Sequence, residues 1–435
     1  MRRHRMPGKV FAALAAGSGG AHAIGHLQAA QYSKRLLLLR GVRDAAKSEE
    51  PARARRARQA YAVLAEIQER APDAVDAVIR YPSVGAWARD VLMGKGDSGG
   101  LASLTAAAAI QAGFSRPIEV PSDNGTVVLP SLGRAFVPSG SPAMVRPDVA
   151  EVTVPGASVR IPPDPHRDAP GWQGVRRLNA EYHGLAIALS FDEGDPYRMP
   201  GGDVPDRRLT DAEIESWRAM LRRAWRLLVR RHWTTAEEIA AAVSVVTPLA
   251  PSAQAGEHTS ATAHQTFGSI AMSLPPDEHA MAVTLAHELQ HTKLGALMDI
   301  VPLVLPDDGS RHYAPWRDDP RPIGGLLHGV YAHLGIAGFW RRQRAHERGE
   351  TALRAHTEFA RWRDASALGA RTLASSGRLT DAGELFVAEM TRTLRTWRRE
   401  PVPVEALDRA RTFAETHKAR WRANNGTPSV ADTSD

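Results

Sequence analysis

Two histidines four residues apart are the side chains of this chain most suited to chemistry. They belong to the segment His287-Glu288-Leu289-Gln290-His291. On a helix, residues four apart lie on one face, about one turn from each other, so both rings can reach one divalent metal ion. A glutamate beside the first histidine can act as a base, as a ligand, or as a group that orients a ligand. The H-E-x-x-H pattern therefore predicts metal-dependent chemistry.

The residues around this motif favour a buried helix. The segment 277–300 contains no proline, and its first glycine is at position 295. Apolar residues recur at helical spacing at Met281, Leu285, Leu289 and, after a slip, Leu294. The other interpretation of the motif is a pair of hydrogen-bonded histidines on an ordinary core helix.

A catalytic metal site needs a third protein ligand. The metzincin spacing fails here, because Leu294 and Leu297 occupy the positions of its glycine and third histidine, and no glutamate lies between His291 and Glu347. We expect His328, in a glycine- and leucine-rich segment at the start of an apolar helix, to be the third ligand. As an alternative, it is a core histidine bonded to the backbone. Five aspartates are the other possible ligands: Asp299, Asp307, Asp308, Asp318 and Asp319.

A stiff segment with two arginines precedes His328. It runs from Tyr313 to Pro322, contains three prolines, and presents Arg317 and Arg321 four residues apart. Guanidinium groups bind carboxylates in a bidentate way, so a dicarboxylate such as 2-oxoglutarate would suit these arginines. In the alternative interpretation they pair with the neighbouring aspartates, and we expect this for at least one of them.

Four segments carry a resemblance to a known family. They are Ser33 to Arg40, Phe267 to Ser273, the metal helix from Thr284 to Leu297, and Pro315 to Pro322 with the His328 helix after it. With these segments the chain resembles the actinobacterial HEXXH motif domain proteins, also called 2-oxoglutarate-dependent HExxH-type peptide β-hydroxylases. The similarity covers about residues 8 to 420.

The resemblance implies a mononuclear Fe(II) enzyme that uses 2-oxoglutarate and O₂ to hydroxylate a β-carbon of a ribosomally made peptide, in natural-product maturation. His287, His291 and His328 would hold the iron on one face and leave three positions open. Glu288 would orient a ligand or a bound water. Arg317 or Arg321 would bind the distal carboxylate of 2-oxoglutarate.

The resemblance also implies two partners. One is the precursor peptide that the enzyme modifies. The other is a radical peptide-modifying enzyme, which would be a separate protein, because a chain without cysteine cannot hold its iron–sulfur cluster.

Two other classes of function stay open from the sequence. In a zinc metallopeptidase, Glu288 would be the general base for a zinc-bound water. The paired arginines and the missing downstream glutamate favour the oxygenase. The third class is a non-catalytic peptide-binding protein that kept the scaffold, which the intact motif disfavours. Upstream, His258, Ser260 and Thr262 either line the site or belong to a solvated loop.

Composition excludes several further classes. The chain has 435 residues, a net charge of +7 and no cysteine, so disulfides and cysteine-based metal sites are excluded. Its arginines are scattered along helices without interleaved aromatics, so we expect no nucleic-acid binding. No apolar run approaches the length of a membrane span, and we read the basic N-terminus as the start of the folded chain. We expect a cytoplasmic protein without membrane contact.

The predicted fold class is α+β, predominantly helical, in one compact body with three parts and a tail. The parts are a helical one over 1–115, a mixed one over 116–280 and a helical, metal-carrying one over 281–422, followed by a disordered tail over 423–435. Strands are expected at 118–120, 127–129, 152–154 and 185–189, with a hairpin turn at 123–125. Thr210 and Glu213 predict a capped helix that extends to Arg231. The segment 237–246 fits a strand or a helix.

Overall fold

Helices make up most of the regular structure. The computed structural model describes residues 4–138, 142–202, 204–205, 207–250 and 258–426. In these residues there are thirteen α-helices and twelve strands, so the predicted α+β, mostly helical class is confirmed. The helices are α1 (Gly8–Ala15), α2 (Gly20–Ala45), α3 (Pro51–Arg70), α4 (Pro72–Ile79), α5 (Pro82–Leu92), α6 (Gly100–Ala112), α7 (Asp211–Arg231), α8 (Trp233–Ala242), α9 (Glu278–Met298), α10 (Ile323–Gln343), α11 (Gly349–Ser375), α12 (Asp381–Arg398) and α13 (Val404–Asn425).

The strands form three sheets. They are β1 (Ile118–Val120), β2 (Thr126–Leu129), β3 (Gly133–Phe136), β4 (Ala143–Arg146), β5 (Glu151–Val154), β6 (Ala157–Arg160), β7 (Trp172–Gly174), β8 (Arg176–Tyr182), β9 (Leu185–Phe191), β10 (Val245–Pro248), β11 (Ser260–Ala261) and β12 (Ser269–Met272). The sheet orders are β1-β4-β5-β6, β2-β3-β7 and β11-β12-β10-β9-β8. In the five-stranded sheet, β10 is parallel to β9 and β12, and the two edge strands are antiparallel to their neighbours.

Local sequence signals account for several of these elements. Helix α7 begins at a capping box in which Thr210 and Glu213 each bond the other's backbone, as predicted. The undecided segment 237–246 contains both elements, because α8 ends at Ala242 and β10 begins at Val245. The predicted strands at 118–120, 127–129, 152–154 and 185–189 are all confirmed, with β9 extending to Phe191.

The predicted turn at 123–125 forms, but it does not join two paired strands. Asn124 and Gly125 both have positive φ, at 46° and 75°, as a tight hairpin turn requires. Asp123 and Thr126 exchange both backbone hydrogen bonds, at 2.9 and 2.8 Å. Beyond this pair β1 bonds β4, and β2 bonds β3. Pro121 precedes the turn and has no N–H to extend a ladder there.

Helix α9 carries the histidine motif and matches the predicted helix over 277–300 closely. The Asp277 side chain caps its start by accepting a hydrogen bond from the Ala280 N–H at 2.8 Å. All four apolar positions expected from the spacing, Met281, Leu285, Leu289 and Leu294, are buried.

Buried apolar side chains fall into two clusters. The first surrounds the histidine motif and takes residues from α1, the start of α2, β8, β9 and α7 to α12. The second takes residues from α2 to α6 and from β1 to β7. Helix α2 contributes to both, with Leu27 in the first and Leu39 in the second. The helices that position the site therefore share their core with the first turns of the chain.

Two sequence predictions concern the ends and the surface of the chain. Helix α13 extends to Asn425, so the first three residues of the predicted disordered tail are helical, and residues 427–435 lie outside the described residues. Among the residues that are described, no helix combines the length and the apolar character needed to cross a membrane.

Candidate metal centre

The histidine motif lies on the one accessible stripe of a buried helix. Along α9, most residues from Met281 to Leu297 are buried, but Val283, His287 and His291 are partly exposed. These three are spaced by four, so they form a single stripe. On α10, His328 is likewise partly exposed between buried neighbours. The three predicted histidines therefore retain solvent access, while the residues beside them form core.

His287 and His291 converge as two ligands of one metal ion would. Their Nε2 atoms are 3.2 Å apart. A metal held by two imidazoles at ~2.0–2.1 Å, with an angle between 90° and 109°, sets its ligand nitrogens about 2.8–3.4 Å apart. The helix thus arranges two nitrogens at a separation that a shared metal requires.

His328 lies near this pair but does not complete a ligand set. Its ring centroid is 5.8 Å from that of His291, with the ring planes 22° apart. Within the described ranges of the chain, no three His, Cys, Asp or Glu side chains are arranged to hold a metal ion together. The role of His328 as a third ligand thus stays a prediction.

All three histidines are neutral at physiological pH. Burial lowers the pKa of His287 and of His328 to about 4, with a further contribution from His264 in the second case. Burial also lowers the pKa of His291 to about 3, and the neighbouring His287 adds to the effect. A neutral imidazole offers a bare ring nitrogen, which is the form that binds metals.

Glu288 points away from solvent and is held by two hydroxyl groups. Its side chain is buried, with one oxygen accepting from Ser260 Oγ at 2.7 Å and the other from Thr262 Oγ1 at 2.6 Å. The first of these oxygens lies 3.9 Å from His287 Nε2. The polar stretch 258–262 therefore lines the site, and it does so by fixing the motif glutamate.

A fourth histidine, His333, belongs to the same cluster and was missed from the sequence. Its ring centroid lies 5.2 Å from that of His287. The ring packs between Trp316, at 4.4 Å, and Trp362, at 4.6 Å. Its Nδ1 lies 2.8 Å from the Gly329 carbonyl oxygen, so Nδ1 carries the proton and Nε2 is left as the bare nitrogen. A histidine one and a half turns after His328 was the available signal.

The two predicted arginines both pair with Asp319, as the alternative interpretation held. Arg317 Nε donates to one carboxylate oxygen at 2.6 Å, and Arg321 Nη1 to the other at 3.0 Å. Arg317 is about half exposed, at 51%, whereas Arg321 is 32% exposed. Arg321 also lies over the first turn of α10, where its Nε and Nη2 are 3.2 Å from the position of a Cβ on Gly325. Arg321 is thus nearer to the His328 helix.

The aspartates considered as ligands are all engaged by basic side chains. Asp299 accepts from Lys34 and Gln31 and contacts His264, and burial is outweighed by these bonds, so that its pKa falls to about 2. The other pairs are Asp307 with Arg311, Asp308 with Arg378, Asp318 with Arg420, and Asp319 with the two arginines above. These ion pairs favour histidine over aspartate as the third ligand.

A separate cleft lies elsewhere in the fold. Its volume is about 570 Å³, and its lining includes Trp87, Asp97, Glu119 and Tyr197. None of the predicted site residues lines it. We therefore place the candidate centre at the histidines, where ligating groups converge, and not at this cleft.

Comparison with known proteins adds no assignment. No family model matches the chain, and a search of curated proteins gave no significant match.

Proposed function

We propose that this protein is an Fe(II)- and 2-oxoglutarate-dependent oxygenase that hydroxylates a β-carbon of a ribosomally synthesised peptide. The observation that carries the proposal is the pairing of His287 and His291 at 3.2 Å on the accessible stripe of α9. The resemblance of the motif segments supplies the iron and the co-substrate. Both are expectations that the experiment below tests.

The iron ligand set that we propose is the histidine pair on α9 with a third histidine from α10, which would have to move to join the pair. His287 and His291 would bind through their Nε2 atoms, and His328 would be the third ligand, with His333 as the other candidate on the same helix. Bound there, Fe(II) would supply an oxidation that uses both atoms of O₂. One oxygen atom would enter succinate as 2-oxoglutarate loses CO₂, and the other would be inserted into a C–H bond of the peptide. Glu288 would hold the His287 end of the site through the hydroxyls of Ser260 and Thr262.

Arg321 is the better candidate of the two arginines for the distal carboxylate of 2-oxoglutarate. It lies over the first turn of α10, about one turn before His328, and it is less exposed than Arg317. A carboxylate bound there would compete with Asp319 for the guanidinium group. Arg317 would then keep Asp319 as its partner.

The zinc metallopeptidase alternative depends on Glu288 acting as a general base. The 3.9 Å distance from its Oε1 to His287 Nε2 puts it near enough to a metal-bound water. However, each carboxylate oxygen already accepts a short hydrogen bond from a hydroxyl group. These two bonds fix the orientation of the carboxylate, so we assign Glu288 a positioning role.

The test is 2-oxoglutarate turnover by anaerobically iron-loaded protein. After air is admitted, we expect wild-type protein to form succinate, at a rate that changes when peptide is added. We expect no succinate from His287→Ala. Removal of iron with a chelator should abolish succinate formation, and Fe(II) should restore it.

Glu288→Gln separates the two enzyme classes. An oxygenase should keep measurable succinate formation in this variant, because glutamine still meets the two hydroxyls. A peptidase should lose nearly all turnover while keeping its metal. Peptide cleavage that zinc restores, without any succinate, would contradict the proposal.

A further inference from the structure

Strand β11 forms one edge of the five-stranded sheet and runs beside the metal helix. It pairs with β12 on one side only, through Ser260 opposite Met272 and Ala261 opposite Ala271. Among the described residues, no strand pairs with its other side. An edge strand presents unpaired N–H and C=O groups, which can bond a further strand.

Three side chains fasten this strand to α9. They are His258 on Thr284 at 2.7 Å, and Ser260 and Thr262 on the two oxygens of Glu288. Alternate residues of an extended chain point the same way, so 258, 260 and 262 face the helix together. On α9, positions 284 and 288 are one turn apart, which matches this spacing. The strand is therefore fixed along the helix, level with the histidine motif.

The backbone pattern shows which groups face the open side. The Thr259 carbonyl accepts from the Ser273 N–H at 2.9 Å, and the Thr259 N–H donates to Ser273 Oγ at 3.0 Å. Because backbone groups of successive residues point to opposite sides, Thr259 and Ala261 face β12. The N–H and C=O of Ser260 and Thr262 then point to the open edge. Both residues are only partly buried.

We infer that the substrate binds as an extended peptide that adds a sixth strand at the open edge of β11. The choice of a peptide as the occupant rests on the proposed function. Main-chain groups of the peptide would bond the N–H and C=O of Ser260 and Thr262, a mode of recognition that extended peptides use at sheet edges.

This placement would present β-carbons to the histidines. An added strand lies about 4.7–4.9 Å from its neighbour and has the same pleat, so every second side chain faces as Ser260 and Thr262 face. Ser260 reaches Glu288 at 2.7 Å, and Glu288 lies 3.9 Å from His287. A peptide residue beside Ser260 would therefore direct its Cβ toward α9, at the level of Glu288 and the histidine motif. Binding through the main chain holds that carbon in place whatever side chain it bears.

The first experiment asks whether peptides bind at this edge, without any need for turnover. Short random peptides displayed on phage are selected on metal-free wild-type protein, and enriched sequences are made with a fluorescein label. Each is then N-methylated at one residue at a time, and affinity is measured by fluorescence anisotropy. If the peptide binds as a strand at the edge of β11, N-methylation of every second peptide residue should lower its affinity about tenfold. N-methylation of the residues between them should have little effect.

Matched variants locate the bound peptide. Ser260→Pro removes the outward N–H, a change that an edge strand tolerates, whereas Ser260→Ala removes the hydroxyl but keeps that N–H. We expect Ser260→Pro to bind about tenfold more weakly than Ser260→Ala. Circular dichroism checks that both variants are folded. If either variant is unfolded, the N-methyl scan on wild-type protein still tests the inference.

The outcomes separate this inference from the proposed function. Failure to enrich any peptide, or affinity losses without alternation, would overturn strand addition. A dimer of the free protein that Ser260→Pro converts to a monomer would also overturn it, since a second copy would occupy the edge. Succinate formation is measured on portions of the same preparations after they have been loaded with Fe(II) without air and then exposed to air with 2-oxoglutarate and the selected peptide. If the affinity losses alternate along the peptide but no succinate forms, peptide binding at the edge of β11 is supported and the oxygenase is refuted. If succinate forms but the affinity losses do not alternate, the oxygenase is supported and strand addition is refuted.

Discussion

The contact between Trp316 and Gly329 gives a prediction about how the arginine-bearing segment is held on α10. A Cβ added to Gly329 would lie 2.4 Å from Trp316 Nε1 and 2.5 Å from two further ring atoms. The ring has little room to move away, because its Cη2 lies beside α11, 3.2 Å from where a Cβ on Gly369 would be. Its face stacks on His333 at 4.4 Å. Trp316, although partly exposed, thus packs between α10 and α11.

We expect Gly329→Ala to destabilise the protein by about 2 kcal/mol. Overpacking a well-packed site costs up to about 3 kcal/mol, and replacing a helical glycine with alanine returns up to about 1 kcal/mol. The same displacement moves the ring that supports His333. Metal affinity should therefore fall together with stability.

The matched control is Gly324→Ala on the same helix. Its Cβ would meet only Val304 Cγ2, at 3.9 Å, which is ordinary contact. This variant should be unchanged or up to about 1 kcal/mol more stable. Urea unfolding followed by circular dichroism measures both variants against wild type. A Gly329→Ala protein as stable as Gly324→Ala would refute the packing argument.

Three further predictions test other parts of the structure. Lys293, 1% exposed, donates to buried Glu238 at 2.9 Å, so Lys293→Met should cost about 3–5 kcal/mol of unfolding free energy. Lys34→Met, at the partly exposed pair with Asp299, should cost less than about 1 kcal/mol. Equal costs in urea unfolding would contradict this. Burial lowers the pKa of His232 from 6.5 to about 4, so between these pH values the unfolded chain binds a proton that the folded protein does not. As the pH falls from 6.5 to 4, the unfolding free energy of wild type should therefore fall by roughly 3 kcal/mol more than that of His232→Asn. Parallel profiles of stability against pH would contradict this. Asp319→Asn should free Arg321 and lower the KM for 2-oxoglutarate up to about fivefold. Arg321→Gln should raise this KM at least about tenfold, and Arg317→Gln should leave it nearly unchanged. If the kinetics of succinate formation show the larger effect for Arg317→Gln, then Arg317 binds the carboxylate and Arg321 does not.

Local signals in the sequence predicted the elements that carry the site. Helix α9 follows from its apolar spacing and from the absence of proline, and α7 from the capping box at Thr210. The polar positions 260 and 262 were also considered for the site. These inferences succeeded because each depends on residues within a few turns of one another.

The features that could not be predicted from the sequence depend on contacts between residues that are far apart in the chain. Strand β11 has only two residues, and its existence depends on β12 and on the hydroxyl bonds to Glu288. Nothing near His333 in the sequence indicates that two tryptophans, 17 and 29 residues away, enclose its ring. The β1–β2 turn was predicted correctly, yet the pairing of each strand with another partner is a tertiary property.

Iron content after dialysis against Fe(II) under nitrogen tests the proposed metal centre most directly. We predict one iron per chain for wild type and for Glu288→Gln, and none for His287→Ala or His291→Ala. Of the two α10 variants, His328→Ala should lose the metal and His333→Ala should weaken its binding. Iron retained by His287→Ala, or lost on Glu288→Gln alone, would contradict a centre built on the paired histidines with Glu288 as a positioning residue.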